Sequence, residues 1–146
     1  MIFAEVIYSN CNGKYGFDEP YDYTPIINAI GDVILRVDED DYQGDIWVLL
    51  RNKEDTKYGF LNFGWGSCPG CDALQACSSY ADLQELIDQL ERDTVWFDSA
   101  ANALIFFQQH DWEGDYCWHT KEFHTFLNKV TALLAQKKNC LGGGNA

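Results

Sequence analysis

Between residues 32 and 65 the chain alternates short apolar runs with polar turns. Residues 33–37, 46–51 and 58–65 are β-branched or aromatic and are bounded by Gly, Asp or Asn, which predicts a three-stranded antiparallel meander. Asn52-Lys53-Glu54-Asp55 has the length of a hairpin loop. Upstream, residues 3–8 read as a further strand closed by Ser9-Asn10-Cys11-Asn12-Gly13. Pro25 is placed to open a short helix over 26–30.

Past residue 78 the apolar period lengthens from two to that of a helix. Leu83, Leu86, Ile87 and Leu90 fall at i, i+3, i+4 and i+7 behind Ser79-Tyr80-Ala81-Asp82, a capping-box pattern with Asp in the Glu position. The acids Asp82, Glu85, Asp88 and Glu91 lie mostly off that stripe. Residues 95–97 form a short strand candidate, and Asp98 or Ser99 caps a helix through about Gln109. Thr120 caps a helix over 120–136, on which Phe123, Phe126, Leu127, Val130, Leu133 and Leu134 keep one face apolar. The expected class is α+β, an antiparallel β-meander followed by helices packed on one face. Residues 1–141 make a single domain and 142–146 a flexible tail.

Composition narrows the class. With 47% apolar and 15% aromatic residues in 146, intrinsic disorder is excluded. No run reaches the ~18 apolar residues of a membrane helix. Met1-Ile2-Phe3-Ala4-Glu5 has no basic segment ahead of an apolar one, so a cytoplasmic location is expected. Ten Lys and Arg against 23 Asp and Glu give a net charge of -13. Phosphate backbones and anionic membranes need cations to bind them, so neither direct nucleic-acid binding nor membrane binding is expected. A basic protein surface is the partner that this charge suits. Residues 58–120 concentrate the effect, with Arg92 their one base.

Two segments echo each other. Asp41-Tyr42-Gln43-Gly44-Asp45-Ile46-Trp47 and Asp111-Trp112-Glu113-Gly114-Asp115-Tyr116-Cys117-Trp118 share an Asp-aromatic-x-Gly-Asp turn with a Trp soon after. One reading makes them Gly turns shaped by acidic side chains. The other makes them acidic-aromatic contact patches: Asp38, Glu39, Asp40, Asp41, Tyr42, Asp45 and Trp47 in the first, Asp111, Trp112, Glu113, Asp115 and Trp118 in the second. Aromatic anchors inside a charged rim are the usual anatomy of a tight interface. The run 38–41 lacks the alternation and closing Glu of a calcium loop.

Six cysteines without an export signal do not make a disulfide scaffold. The sharpest cluster is Gly64-Trp65-Gly66-Ser67-Cys68-Pro69-Gly70-Cys71-Asp72-Ala73-Leu74-Gln75-Ala76-Cys77. A dithiol redox centre fits it less well, because the strand before it follows a meander and no later Pro loop accompanies it. Cys68-Pro69-Gly70-Cys71 has the spacing of a zinc knuckle, which Cys77 and His119 could complete, with His110, Cys117 and His124 as further donors. Small buried thiols that let a Gly-rich backbone pack beneath Trp65 are the structural alternative. The cofactor expectation is none, or one structural zinc, and no catalytic residue is assigned.

Tyr42-Gln43-Gly44-Asp45, the segment 64–75, Trp96-Phe97 and Asp111-Trp112-Glu113 together resemble small proteins of unassigned function from bacteriophages and bacterial genomes. The likeness covers roughly 38–130, and its most specific part is the Gly-Ser-Cys-x-Gly-Cys-Asp-Ala-Leu segment. It implies a phage or mobile-element origin, with the host cytoplasm as the location, and no mechanism. The function expected is a small acidic binding protein that inhibits a host nucleic-acid-binding defence protein by occupying its basic surface. The alternatives are a zinc-dependent or thiol enzyme centred on Cys68, Cys71 and the 110–119 segment, and an acidic accessory protein with an unrelated target. Oligomeric state is not legible in the sequence.

Overall fold

A computed structural model describes residues 23–39, 43–66, 72–114 and 120–142, with side chains through residue 138. The strand expected over 3–8 lies outside them. Helix α1 (Thr24–Ile30) opens on Pro25 in its first turn and buries Ile26, Ile27 and Ile30. Strands β1 (Asp32–Asp38), β2 (Gly44–Arg51) and β3 (Tyr58–Trp65) form the antiparallel meander. Helix α2 (Tyr80–Asp93) leads into β4 (Val95–Phe97), which pairs antiparallel with β3 and completes a sheet of order β1-β2-β3-β4. Helix α3 (Ala100–Gln109), a 3-10 turn (Trp112–Gly114) and helix α4 (Lys121–Gly142) follow. The α+β class is as expected, and α4 extends beyond the expected helix end at residue 136 to Gly142.

The helices divide between both faces of the sheet rather than covering one. The cause is β2, whose six central residues are all buried. Its alternation sends Ile46, Val48 and Leu50 to one face, where Leu61 joins them against α1 and α2. Trp47 and Leu49 point to the other, where Tyr58 and Phe60 meet α3 and α4. A central strand buried on both sides needs a helical layer on each. On the second face Phe60 lies against Phe107 edge-on at 5.0 Å, Trp112 at 5.9 Å and Phe126 stacked at 5.7 Å between ring centres.

Local chemistry closes the elements where the sequence marks them. The Ser79 hydroxyl accepts the Asp82 backbone N–H at 3.1 Å and that of Ser99 accepts from Asn102 at 3.1 Å, capping α2 and α3. Thr120 caps α4 through Phe123 N–H at 3.3 Å. In the β2–β3 turn, Asn52 Oδ1 accepts from the Thr56 and Lys57 N–H groups, both at 2.8 Å, and Asp55 takes a positive φ of 59°. Gly59 faces Trp96 across β3–β4. A Cβ there would stand 2.7 Å from the indole, so only glycine lets the ring come this close to the strand.

Candidate binding surface

The first expected patch is mostly consumed by its own turn. Glu39 extends the β1–β2 ladder, its N–H donating to Asp45 carbonyl oxygen at 2.9 Å, while its carboxylate folds back to accept Asp45 N–H at 3.0 Å. Gly44 makes room for this, since a Cβ there would lie 2.6 Å from Glu39 Cβ. Asp45 is 6% exposed, and its Oδ1 lies 3.4 Å from the amide of Asn62, which also donates to Ile46 carbonyl at 3.1 Å. Asp38 is exposed but held bidentately by Arg36 at 2.7 and 2.8 Å. Asp40, Asp41 and Tyr42 lie outside the described residues.

The aromatic anchors expected in these patches are core residues. Trp47 is 1% exposed, because the strand alternation turns it inward onto Phe123, 5.8 Å away. Trp112 is 8% exposed, stacked on Phe107 at 6.0 Å, with its indole N–H donating to Phe107 carbonyl at 2.8 Å. Both rings meet Phe123 inside the protein, so neither is available to a partner in this conformation. Asp111 and Glu113 remain exposed on the 3-10 turn, with the Gly114 N–H donating to Asp111 carbonyl at 3.3 Å. Asp115 and Trp118 lie outside the described residues.

Of the expected zinc donors, Cys68, Cys71 and His119 also lie outside them. Cys77 is buried, and its thiol donates to Ala73 carbonyl at 3.4 Å. Burial, and then the negative charges of Asp82, Asp72 and Glu85, push this thiol up to about 11. At neutral pH it is therefore protonated, which runs against a nucleophilic role. Among the described residues no group of three or more His, Cys, Asp or Glu side chains is arranged to hold a metal ion.

Sequence reasoning missed a buried polar network that ties Gly66 to Asp72 and Gln75. Asp72, 3% exposed, accepts at Oδ2 from Gly66 N–H (2.9 Å) and at Oδ1 from Gln75 N–H (3.0 Å) and the Tyr23 hydroxyl (3.1 Å). Gln75 returns a bond from its amide to Gly66 carbonyl at 2.9 Å. Burial, with Asp72 beside it, pushes the Tyr23 hydroxyl well above its ordinary range. The signal for this network was Asp72 directly after the second cysteine of the knuckle-like segment.

It also passed over the outer side of α2 as a contact surface. Asp82, Glu85, Asp88, Glu91 and Asp93 are exposed there beside Arg92. Ion pairs among the described residues join Arg36 to Asp38, Arg51 to Asp55, Lys53 to Asp32 and Lys57 to Asp98, and none reaches α2. Asp82 Oδ2 accepts both the N–H and the hydroxyl of Ser78 at 2.9 Å, which fixes the carboxylate and holds it below the usual carboxylate range. Between α2 and the turn before it runs a groove of about 280 Å³, lined by Ala73, Ala76, Cys77, Asp82, Glu85, Leu86 and Gln89.

Comparison of the chain with family models, curated proteins and solved structures finds no match. Among the described residues, no helix is long and apolar enough to cross a membrane.

Proposed function

We propose that this chain is a non-catalytic binding protein whose carboxylates occupy a basic surface on a nucleic-acid-binding protein, blocking it as an inhibitor of phage or mobile-element type would. The observation that supports the reading is the row of α2 acids without a cationic partner among the described residues. Asp82, Glu85, Asp88 and Glu91 recur every third residue, about 4.5 Å apart along the helix axis. One DNA strand presents a phosphate about every 3.4 Å, so the two linear charge densities are comparable. Carboxylates left unpaired at a net charge of -13 raise self-repulsion, and a basic partner relieves it.

The test is retention of bacterial lysate proteins on the immobilised chain, followed by elution with duplex DNA. The expected result is a retained protein that DNA displaces and that a Glu85→Gln, Asp88→Asn, Glu91→Gln triple variant no longer holds, at an unchanged melting temperature. Retention indifferent to DNA and to the triple variant would overturn the reading.

A further inference from the structure

Resting on that reading, we infer that the groove between residues 73–77 and α2 is the point at which the partner is engaged, and that its occupant is a lysine side chain of a basic segment. At about 280 Å³ the groove falls just under the roughly 300–1,000 Å³ of small-molecule sites, which suits one side chain better than a cofactor. Buried Cys77 and Leu86 form its floor and Ala73 and Ala76 its near wall. Such a lining matches the four methylenes of a lysine stem, which covers apolar surface while its charged head stays at the rim. Asp82 and Glu85 supply that rim.

The geometry at Asp82 selects lysine over arginine. Both bonds from Ser78 fall on Oδ2 and the Ser79 hydroxyl also bonds the carboxylate, so a ligand does not meet an open two-oxygen fork. A guanidinium is recognised best by two oxygens in a fork, whereas an ammonium is a compact point charge that one oxygen serves. The Ser78 bonds also hold the carboxylate in place before binding, which reduces the ordering cost on association. The Cys77 thiol stays protonated beneath them, so the floor adds no charge of its own.

The probe is the peptide acetyl-(Lys-Gly-Ser)4-amide, titrated into the full chain at low ionic strength and followed by amide chemical shifts. Shifts are expected at Ala73, Ala76 and Gln89, with binding lost when norleucine replaces lysine and weakened when arginine does. Ala76→Leu fills the groove without altering charge, and with Glu85→Gln it should weaken binding about tenfold, the scale of one charge-assisted bond. Glu54→Gln makes the same charge change on the exposed β2–β3 turn, at the end of β3 away from Gly66 and outside the α2 row, and should alter affinity less than about twofold. Ala76→Leu is compared only after its melting temperature matches the parent, and Glu85→Gln alone serves if it does not. Binding that Ala76→Leu and Glu85→Gln leave intact, that Glu54→Gln weakens equally, or that arginine strengthens would overturn the groove while leaving the acidic-binder reading standing. No binding of the lysine peptide to the parent chain would overturn both.

Discussion

The Tyr23 hydroxyl donates to Asp72 Oδ1 at 3.1 Å across 49 positions of sequence, and accepts the Leu74 N–H at the same distance. One oxygen thereby ties the residue before α1 to the turn before α2, in a place that water does not reach. Tyr23→Phe keeps the ring against Phe63, 4.8 Å away, but leaves a buried donor and part of a buried carboxylate unsatisfied. The expected loss is about 1–3 kcal/mol in chemical denaturation. A loss below about 0.5 kcal/mol would mean that the network is not a structural tie.

That tie also shows where legibility ends. Strands β2 and β3, the Ser79, Ser99 and Thr120 caps and Pro25 at the start of α1 were readable because each signal sits within a few residues of its effect. The sheet's second helical layer was not, because a short apolar run such as 46–50 reads the same whether one face or both are covered. Trp47 and Trp112 belong to segments whose acidic Gly turns look like displayed patches, yet both rings pack on Phe123, on a helix more than ten residues further along. The Glu39 carboxylate carries no local sign that it folds back onto Asp45. The Tyr23–Asp72 pairing joins segments that no window spans.

Phe126 lies wholly buried on α4 and stacks on Phe60. Phe126→Ala removes the ring from the centre of the second-face cluster and leaves a cavity that the sheet cannot close. The expected cost is about 3–5 kcal/mol by denaturant titration. A loss under about 1 kcal/mol would place α4 at the periphery of the fold.

The first acidic turn should answer to geometry before charge. Glu39→Gln keeps an oxygen for the Asp45 N–H and is expected to leave stability within about 0.5 kcal/mol, whereas Glu39→Ala loses the bond and about 0.5–1.5 kcal/mol. Gly44→Ala drives a Cβ into Glu39 at its own Cβ, not at a flexible end, and should cost about 1–3 kcal/mol. Equal melting temperatures for Glu39→Gln and Glu39→Ala would return this carboxylate to the pool of solvent-facing charge.

Cys77 gives a pH signature with a definite sign. Its thiol titrates near 9 when unperturbed and at about 11 in the fold, so the native state holds the proton more tightly than the unfolded chain does. The stability that this contributes is whole below about pH 9, falls as the unfolded thiol ionises, and is gone once the pH passes through about 11. Tyr23 is shifted in the same direction and adds to the decline on the alkaline side. Cys77→Ala should therefore lower stability at pH 7 through lost packing and yet flatten the fall between about pH 9 and 11 relative to the parent. Denaturant midpoints measured at pH 7, 9, 10 and 11 on both proteins check it, alongside mass-mapped thiol labelling at pH 7, where Cys77 should be slower than a free thiol. Parallel pH profiles, or prompt labelling of Cys77 in the native protein, would show that the thiol is neither buried nor held protonated by its acidic neighbours.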